Sequence, residues 1–372
     1  MDLILVPIRI GSVLTQNRIF QVEPDVSQED ITNVTKYLES GGWLTEHKVT
    51  AELEEKIKAC VGRKHSMAVP NGTIAIYLSL LAAGITKGKK VAVPNITMIA
   101  TINAVLWADA IPVLVDVDED LCMSYKKLTE NRDLDAVIFV PLNGRTGKGE
   151  NISSWCKENE IILIEDSAHA LGSNYKETKC GSLGDISILS FTPHKIITMG
   201  QGGMVLTNND EFNESLVRLK TFNRSKDKAD WHDGFGLNFK ITDIQASLGL
   251  SQFKRLDNFV QNKKDNFIEY KKLIKDENIE FLDFKEYETP WFFDVLCVSK
   301  EYKDKLKAHL NENNIETRNS YPALSFQKYL EEYRDPELGY SESICERVLW
   351  LPSSNNLTQE QIERVSEVIS SV

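Results

Sequence analysis

From about residue 50 to residue 210 the chain alternates short aliphatic runs with helical stretches, and this alternation restricts its possible folds more than any other feature. Residues 91–93, 111–117, 136–142, 161–164, 186–191 and 204–207 are rich in Val and Ile. Near-continuous runs of this kind suit strands whose sheet is covered by helices on both faces. Helix-like segments separate the first four runs, among them residues 98–107 and 152–159. The pattern predicts an α/β fold with a mostly parallel central sheet and flanking helices. Upstream, residues 52–61 read as an amphipathic helix with Leu53, Ile57, Cys60 and Val61 on one side, and residues 74–83 as a helix ended by Gly84. Past Asp210 long charged helical stretches take over, such as residues 244–270. Residues 292–298 and 303–313 then read as the strand–helix start of a smaller C-terminal α/β unit. The expected division is a large unit over residues 1–250 and a small one over 251–372, and 372 residues with 42% hydrophobic content can fill both cores.

Charge and cysteine usage exclude several classes. A net charge of −12 argues against a nucleic-acid partner, which calls for a basic face. The six cysteines, Cys60, Cys122, Cys156, Cys180, Cys297 and Cys345, lack metal-ligand spacing, so reduced thiols and no metal site are expected. Residues 1–10 lack the pattern of a leader peptide, and no apolar run is long enough to span a bilayer. The expected location is the cytoplasm.

Three segments carry candidate chemistry. Asn71-Gly72-Thr73 precedes a helix, where free N–H groups and a close-approach glycine suit an anion; an ordinary helix cap fits the same residues. Glu165-Asp166 stands at the C-terminal end of an apolar strand, where open α/β sheets place ligand-binding groups, with His169 three residues on. A carboxylate there can pair with a protonated pyridine nitrogen or be structural. The third segment delivers Ser190 on a strand, presents Lys195 in a turn and continues through Gly200, Gly202 and Gly203. A lysine in a turn is ordinarily a surface residue, but the glycines demand tight backbone geometry, and a lysine amine of lowered pKa is a nucleophile.

These stretches together resemble the DegT/DnrJ/EryC1/StrS sugar aminotransferases, which are fold-type I pyridoxal phosphate (PLP) enzymes. The likeness runs in order through Gly42-Trp43-Leu44-Thr45, Asn71-Gly72-Thr73, residues 94–101, Ile164-Glu165-Asp166-Ser167-Ala168-His169, residues 181–185, 190–203 and 236–250, with a weaker echo at Glu316-Thr317-Arg318 and Tyr321-Pro322. The resemblance implies that Lys195 links to PLP as a Schiff base and shuttles the proton. It further implies that Asp166 holds the pyridine nitrogen, that His169 contacts the ring hydroxyl, and that Gly72, Thr73 and Ser190 bind the phosphate. Asn238 would join the phosphate from the neighbouring subunit of a homodimer.

Three positions depart from the family pattern. Met98 stands where an aromatic usually stacks on the cofactor, Gln201 replaces an acid between the glycines, and Lys240 replaces an arginine. His194 adjoins Lys195, and a dehydratase of this fold carries histidine in place of the lysine; counting back from Gly200 assigns the position to Lys195. His194, Trp231, His232 and Tyr321 are candidate substrate contacts, although Trp231 equally suits a loop anchor. Arg145 is a candidate phosphate clamp or an exposed loop arginine. The expected reaction moves an amino group, from L-glutamate, to a keto group of a nucleotide-activated sugar for surface polysaccharide. The alternatives are a small phosphorylated ketone as acceptor, or a non-catalytic PLP-binding regulatory protein.

Overall fold

A computed structural model describes residues 18–130 and 133–372. The leader-peptide expectation, which concerns residues 1–10, lies outside the described residues. The strands are β1 (His65–Val69), β2 (Lys90–Pro94), β3 (Ile111–Val115), β4 (Ala136–Phe139), β5 (Ile162–Asp166), a small hairpin of β6 (Asn174–Tyr175) and β7 (Thr178–Lys179), β8 (Ile186–Ser190) and β9 (Gly203–Thr207). Apart from the hairpin they form one seven-stranded sheet in the order β1-β9-β8-β5-β4-β2-β3. From β8 to β3 every neighbouring pair is parallel, and β9 runs antiparallel to both β8 and β1. Residues 191–202 join β8 to the antiparallel β9. That connection carries Lys195. Gly203, at the start of β9, lies so close to the β1 end that a Cβ there would come within 2.6 Å of the Asn71 carbonyl carbon.

The α/β fold and its mostly parallel sheet match the sequence expectation, with shifts at the ends. The run at 136–142 stops as a strand at Phe139, because the chain turns through Leu142–Gly144 with Asn143 at φ 53°. Residues 244–270 divide into helices Asp243–Phe253 and Leu256–Leu273. At the break, Arg255 pairs with Asp25 and Asp30, and Asp30 also caps the helix Gln28–Glu39 with Ser27.

Toward the C-terminus, β10 (Ile279–Phe281), β11 (Phe293–Cys297), β12 (Arg318–Asn319) and β13 (Val348–Leu351) form an antiparallel sheet in the order β10-β11-β13-β12. Helices Lys300–Glu312 and Gln359–Ile369 enclose a second core with Phe267, Phe293, Leu306, Leu349 and Ile362. Ile19 joins that core and bridges Ile315, so the start of the described chain is tied to its end. No helix among the described residues is long and apolar enough to cross a membrane. All six cysteines are free thiols.

Candidate active site

A cavity of about 300 Å³ opens where β1, β5 and β8 end, and segments near β12 close it from the C-terminal side. Ligands in open α/β sheets occupy this crevice. After β1, Asn71 caps the helix Gly72–Ala82 by accepting the Ile74 N–H at 3.0 Å, leaving the first helical N–H groups to the cavity. Gly72 lies against Ser190 at the end of β8: a Cβ at Gly72 would stand 3.2 Å from the Ser190 Cβ. The helix start and the serine hydroxyl therefore share one wall.

Strand alternation separates the two acids of β5. Glu165 is buried away from the cavity and accepts from Ser167 Oγ, Tyr175 Oη, Gly181 N, Leu183 N and Ser187 Oγ. Asp166 faces the cavity, where it accepts from Thr101 Oγ1 at 2.9 Å and Ala168 N at 3.2 Å. Burial pushes its carboxyl up, against the pull of those two donors and of Lys195.

Lys195 lines the open cavity, so part of its side chain keeps water contact, while its amine sits deep in protein. That depth pushes the amine down to about 7; the Arg318 charge adds to the shift and Asp166 opposes it. The amine stands 3.8 Å from the centre of the Trp291 ring. His169 stacks on the other residues of this wall, 4.0 Å from Trp291 and 5.9 Å from Tyr321 between ring centres. Burial, with Lys195 and His194 nearby, holds the imidazole well below its ordinary value, and its buried Nδ1 has no hydrogen-bond partner. His194 is likewise pushed down, to about 4, by burial and then by Lys195.

Gly72, Thr73, Met98, Asp166, His169, Ser190, His194, Lys195 and Tyr321 come together on this one cavity. Met98 is exposed at its mouth, with its sulfur accepting the Ala100 N–H at 3.0 Å. Asn238, Trp231 and His232 do not line it. They belong to an exposed loop closed by the Thr221–Asn238 and Arg224–His232 bridges. Arg145 is a correction. It is neither a phosphate clamp at the cavity nor an exposed loop residue: it is buried and pairs with Asp294, its other donors going to the carbonyls of Leu282 and Asp283. Phe284 covers the guanidinium at 4.0 Å, and Arg145 does not line the cavity.

Sequence reasoning passed over Trp291 and Thr101 and gave Arg318 no role. Arg318 lines the cavity and has no carboxylate partner among the described residues. Trp291 and Phe292 stand just before β11, and Trp291 comes beside Lys195 from a part of the chain about a hundred residues away.

The donor set suits pyridoxal phosphate: a helix start beside a serine hydroxyl for a phosphate, a cavity-facing carboxylate for a ring nitrogen, an unpartnered histidine nitrogen and a lysine amine of lowered basicity. The sequence signature of the DegT/DnrJ/EryC1/StrS aminotransferase family matches residues 24–370. A GDP-perosamine synthase of Escherichia coli O157:H7 is 32% identical over 94% of this chain and 96% of its own. The UDP-4-amino-4,6-dideoxy-N-acetyl-beta-L-altrosamine transaminase of Campylobacter jejuni is 33% identical over 82% of this chain and 76% of its own. Helicobacter pylori PseC, an aminotransferase of pseudoaminic acid biosynthesis, shares the fold with a TM-score of 0.90 at 24% identity, covering 95% of this chain and 98% of its own.

Proposed function

This chain belongs to the DegT/DnrJ/EryC1/StrS family of pyridoxal phosphate-dependent aminotransferases, and on that premise we propose that it moves an amino group from L-glutamate to a keto group of a nucleotide-activated sugar, for surface polysaccharide. The observation that carries the reading is the meeting of Lys195, Asp166, His169 and the Gly72–Ser190 wall in one cavity. The nucleotide-sugar acceptor is supported by the names of two relatives, a GDP-perosamine synthase and a transaminase of a UDP-linked amino sugar.

Bound here, pyridoxal phosphate supplies an aldehyde that links to amines and a pyridine ring that draws electron density from the neighbouring carbon. Gly72, Thr73 and Ser190 would hold its phosphate, Asp166 the ring nitrogen, His169 the ring hydroxyl and Met98 the ring face. An amine lowered to about 7 keeps a substantial neutral fraction at physiological pH, so Lys195 Nζ can act as nucleophile and then take up and return the proton that moves during transfer. Arg318 is placed to receive an anionic group of either substrate, the donor carboxylate or the acceptor diphosphate. The exposed loop with Trp231, His232 and Asn238 would complete the cavity of a second copy in a homodimer, since those residues leave their own cavity untouched.

The test is an absorbance experiment with pyridoxal phosphate, on the wild type and on Lys195→Ala. The wild type should develop a visible band that glutamate bleaches and that a nucleotide-linked ketosugar restores; Lys195→Ala should lack the glutamate-sensitive band. Restoration by a small phosphorylated ketone and not by any nucleotide-linked sugar would replace the acceptor. A wild-type band indifferent to glutamate and to the substitution would point to a non-catalytic PLP-binding protein.

A further inference from the structure

We propose that Trp291, buried behind the cavity wall just before β11, is a positioning residue for the Lys195 amine: its indole face covers one side of the nitrogen and its indole N–H fixes the turn that presents it. The proposal rests on Lys195 being the cofactor lysine. Lys195 Nζ lies 3.8 Å from the indole centre. The indole Nε1 donates at 2.7 Å to the carbonyl of His194, the residue before Lys195. The His169 ring packs on the same indole at 4.0 Å and 24°.

The tryptophan is itself held from behind. Its backbone N–H donates to the Asn143 carbonyl at 2.9 Å, and its carbonyl accepts from buried Lys263 Nζ at 2.9 Å. A core tryptophan whose work is packing alone can satisfy its N–H on any acceptor; here the acceptor is the peptide adjoining the reacting side chain. One indole thus contacts the amine, the turn beneath it and the candidate ring-hydroxyl residue, and it belongs to a part of the chain remote from all three.

The physics of the amine follows from this arrangement. An aromatic face attracts an ammonium, but a buried wall also removes the water that would solvate the charge. Burial outweighs the other effects at Lys195, taking the amine down to about 7. The groups facing it are Asp166 at the end of β5 and His169 just beyond it, His194 on its own turn, and Arg318 and Tyr321 from the C-terminal side; Lys263 faces the far, carbonyl side of Trp291. Replacing Trp291 leaves all of these charges in place and changes the water around the amine and the anchoring of its turn.

The experiment uses cofactor-free protein, acylated competitively with acetic anhydride across a pH series and read at Lys195 by mass spectrometry. The wild-type midpoint should lie near 7. In Trp291→Ala, water enters beside the amine and the midpoint should rise by about one pH unit or more toward the ordinary lysine value. Trp291→Phe keeps an aromatic face and loses the N–H; it should bind pyridoxal phosphate about fivefold more weakly, the usual worth of one hydrogen bond. A wild-type midpoint in Trp291→Ala overturns the proposal. Should that variant not fold, unchanged pyridoxal phosphate affinity in Trp291→Phe overturns it instead. Borohydride reduction of the wild-type complex separates this from the underlying assignment: if the cofactor is trapped on a lysine other than Lys195, the assignment itself fails; trapping on Lys195 with insensitive Trp291 variants removes the role of Trp291 alone.

Discussion

Glu165 and Asp166 show how much one residue of register decides. Adjacent side chains on a strand point to opposite faces, so the first acid meets the interior behind the sheet and the second meets the cavity. Glu165 has five donors around it and is a buried acid held by hydrogen bonds. Glu165→Gln replaces an acceptor with an amide that must donate where donors already point, and it should cost on the order of 2 kcal/mol or more in a denaturant titration. Asp166→Asn should leave the unfolding midpoint nearly unchanged, because the amide oxygen can keep the Ala168 N–H while the amide NH2 donates to the Thr101 hydroxyl, which can accept as well as donate. The rate of bleaching by glutamate should instead fall by on the order of a hundredfold, since the charge opposite the ring nitrogen is lost. Similar stability losses in both variants would mean that Asp166 is as structural as its neighbour.

At the scale of elements, the strands were legible and the breaks were not. Runs such as 186–191 are apolar on both faces because helices cover both sides of the sheet, and that signal survives in the sequence alone. The division of 244–270 was hidden because Lys254 and Arg255 are ordinary helix residues; the reason for stopping lies in Asp25 and Asp30, more than two hundred positions away. Trp291 escaped notice for the same cause: its neighbours Lys195 and His169 are distant in the chain. The helix Leu256–Leu273 gives an element-scale prediction. It buries Lys263, whose amine donates to the carbonyls of Trp291 and Ser353 and faces no carboxylate in those contacts. Burial pushes this lysine down to about 7. Between that value and about 10.4, the unfolded chain holds a proton that the folded one has released, so stability rises with pH across this window. Relative to Lys263→Met, which has no such proton, the wild type should therefore gain on the variant by a few kcal/mol between about pH 7 and about pH 10 in paired denaturant titrations. A constant difference across that range would mean that the folded protein keeps Lys263 charged.

For the whole molecule, we propose that residues 1–250 and 251–372 act as two units, and that the pair formed by Arg145 and Asp294 is their internal latch. Arg145 follows β4 in the first unit, and Asp294 lies on β11 in the second. Asn143 reinforces the seam by donating to Asp294 at 2.6 Å and by receiving the Trp291 N–H through its carbonyl. Burial pushes the Asp294 carboxyl up, and the guanidinium opposes that shift, so each member needs the other. Removing Arg145 leaves a carboxylate stranded in the interior, and Arg145→Met should lower unfolding stability by about 3 to 5 kcal/mol. Replacing both members with apolar residues, as in Arg145→Met with Asp294→Leu, should recover much of the loss, because an apolar pair has no desolvation cost to offset. A phosphate clamp would behave in the opposite way: substitution would raise the acceptor KM and leave the unfolding midpoint alone. Thermal melts and acceptor titrations of the same two variants, below their melting temperatures, therefore decide between a seam and a substrate contact. The geometry requires the melts to move first, since Trp291 stands one hydrogen bond from Asn143 on one side and 3.8 Å from Lys195 Nζ on the other, so that loosening the latch reaches the cavity through the indole.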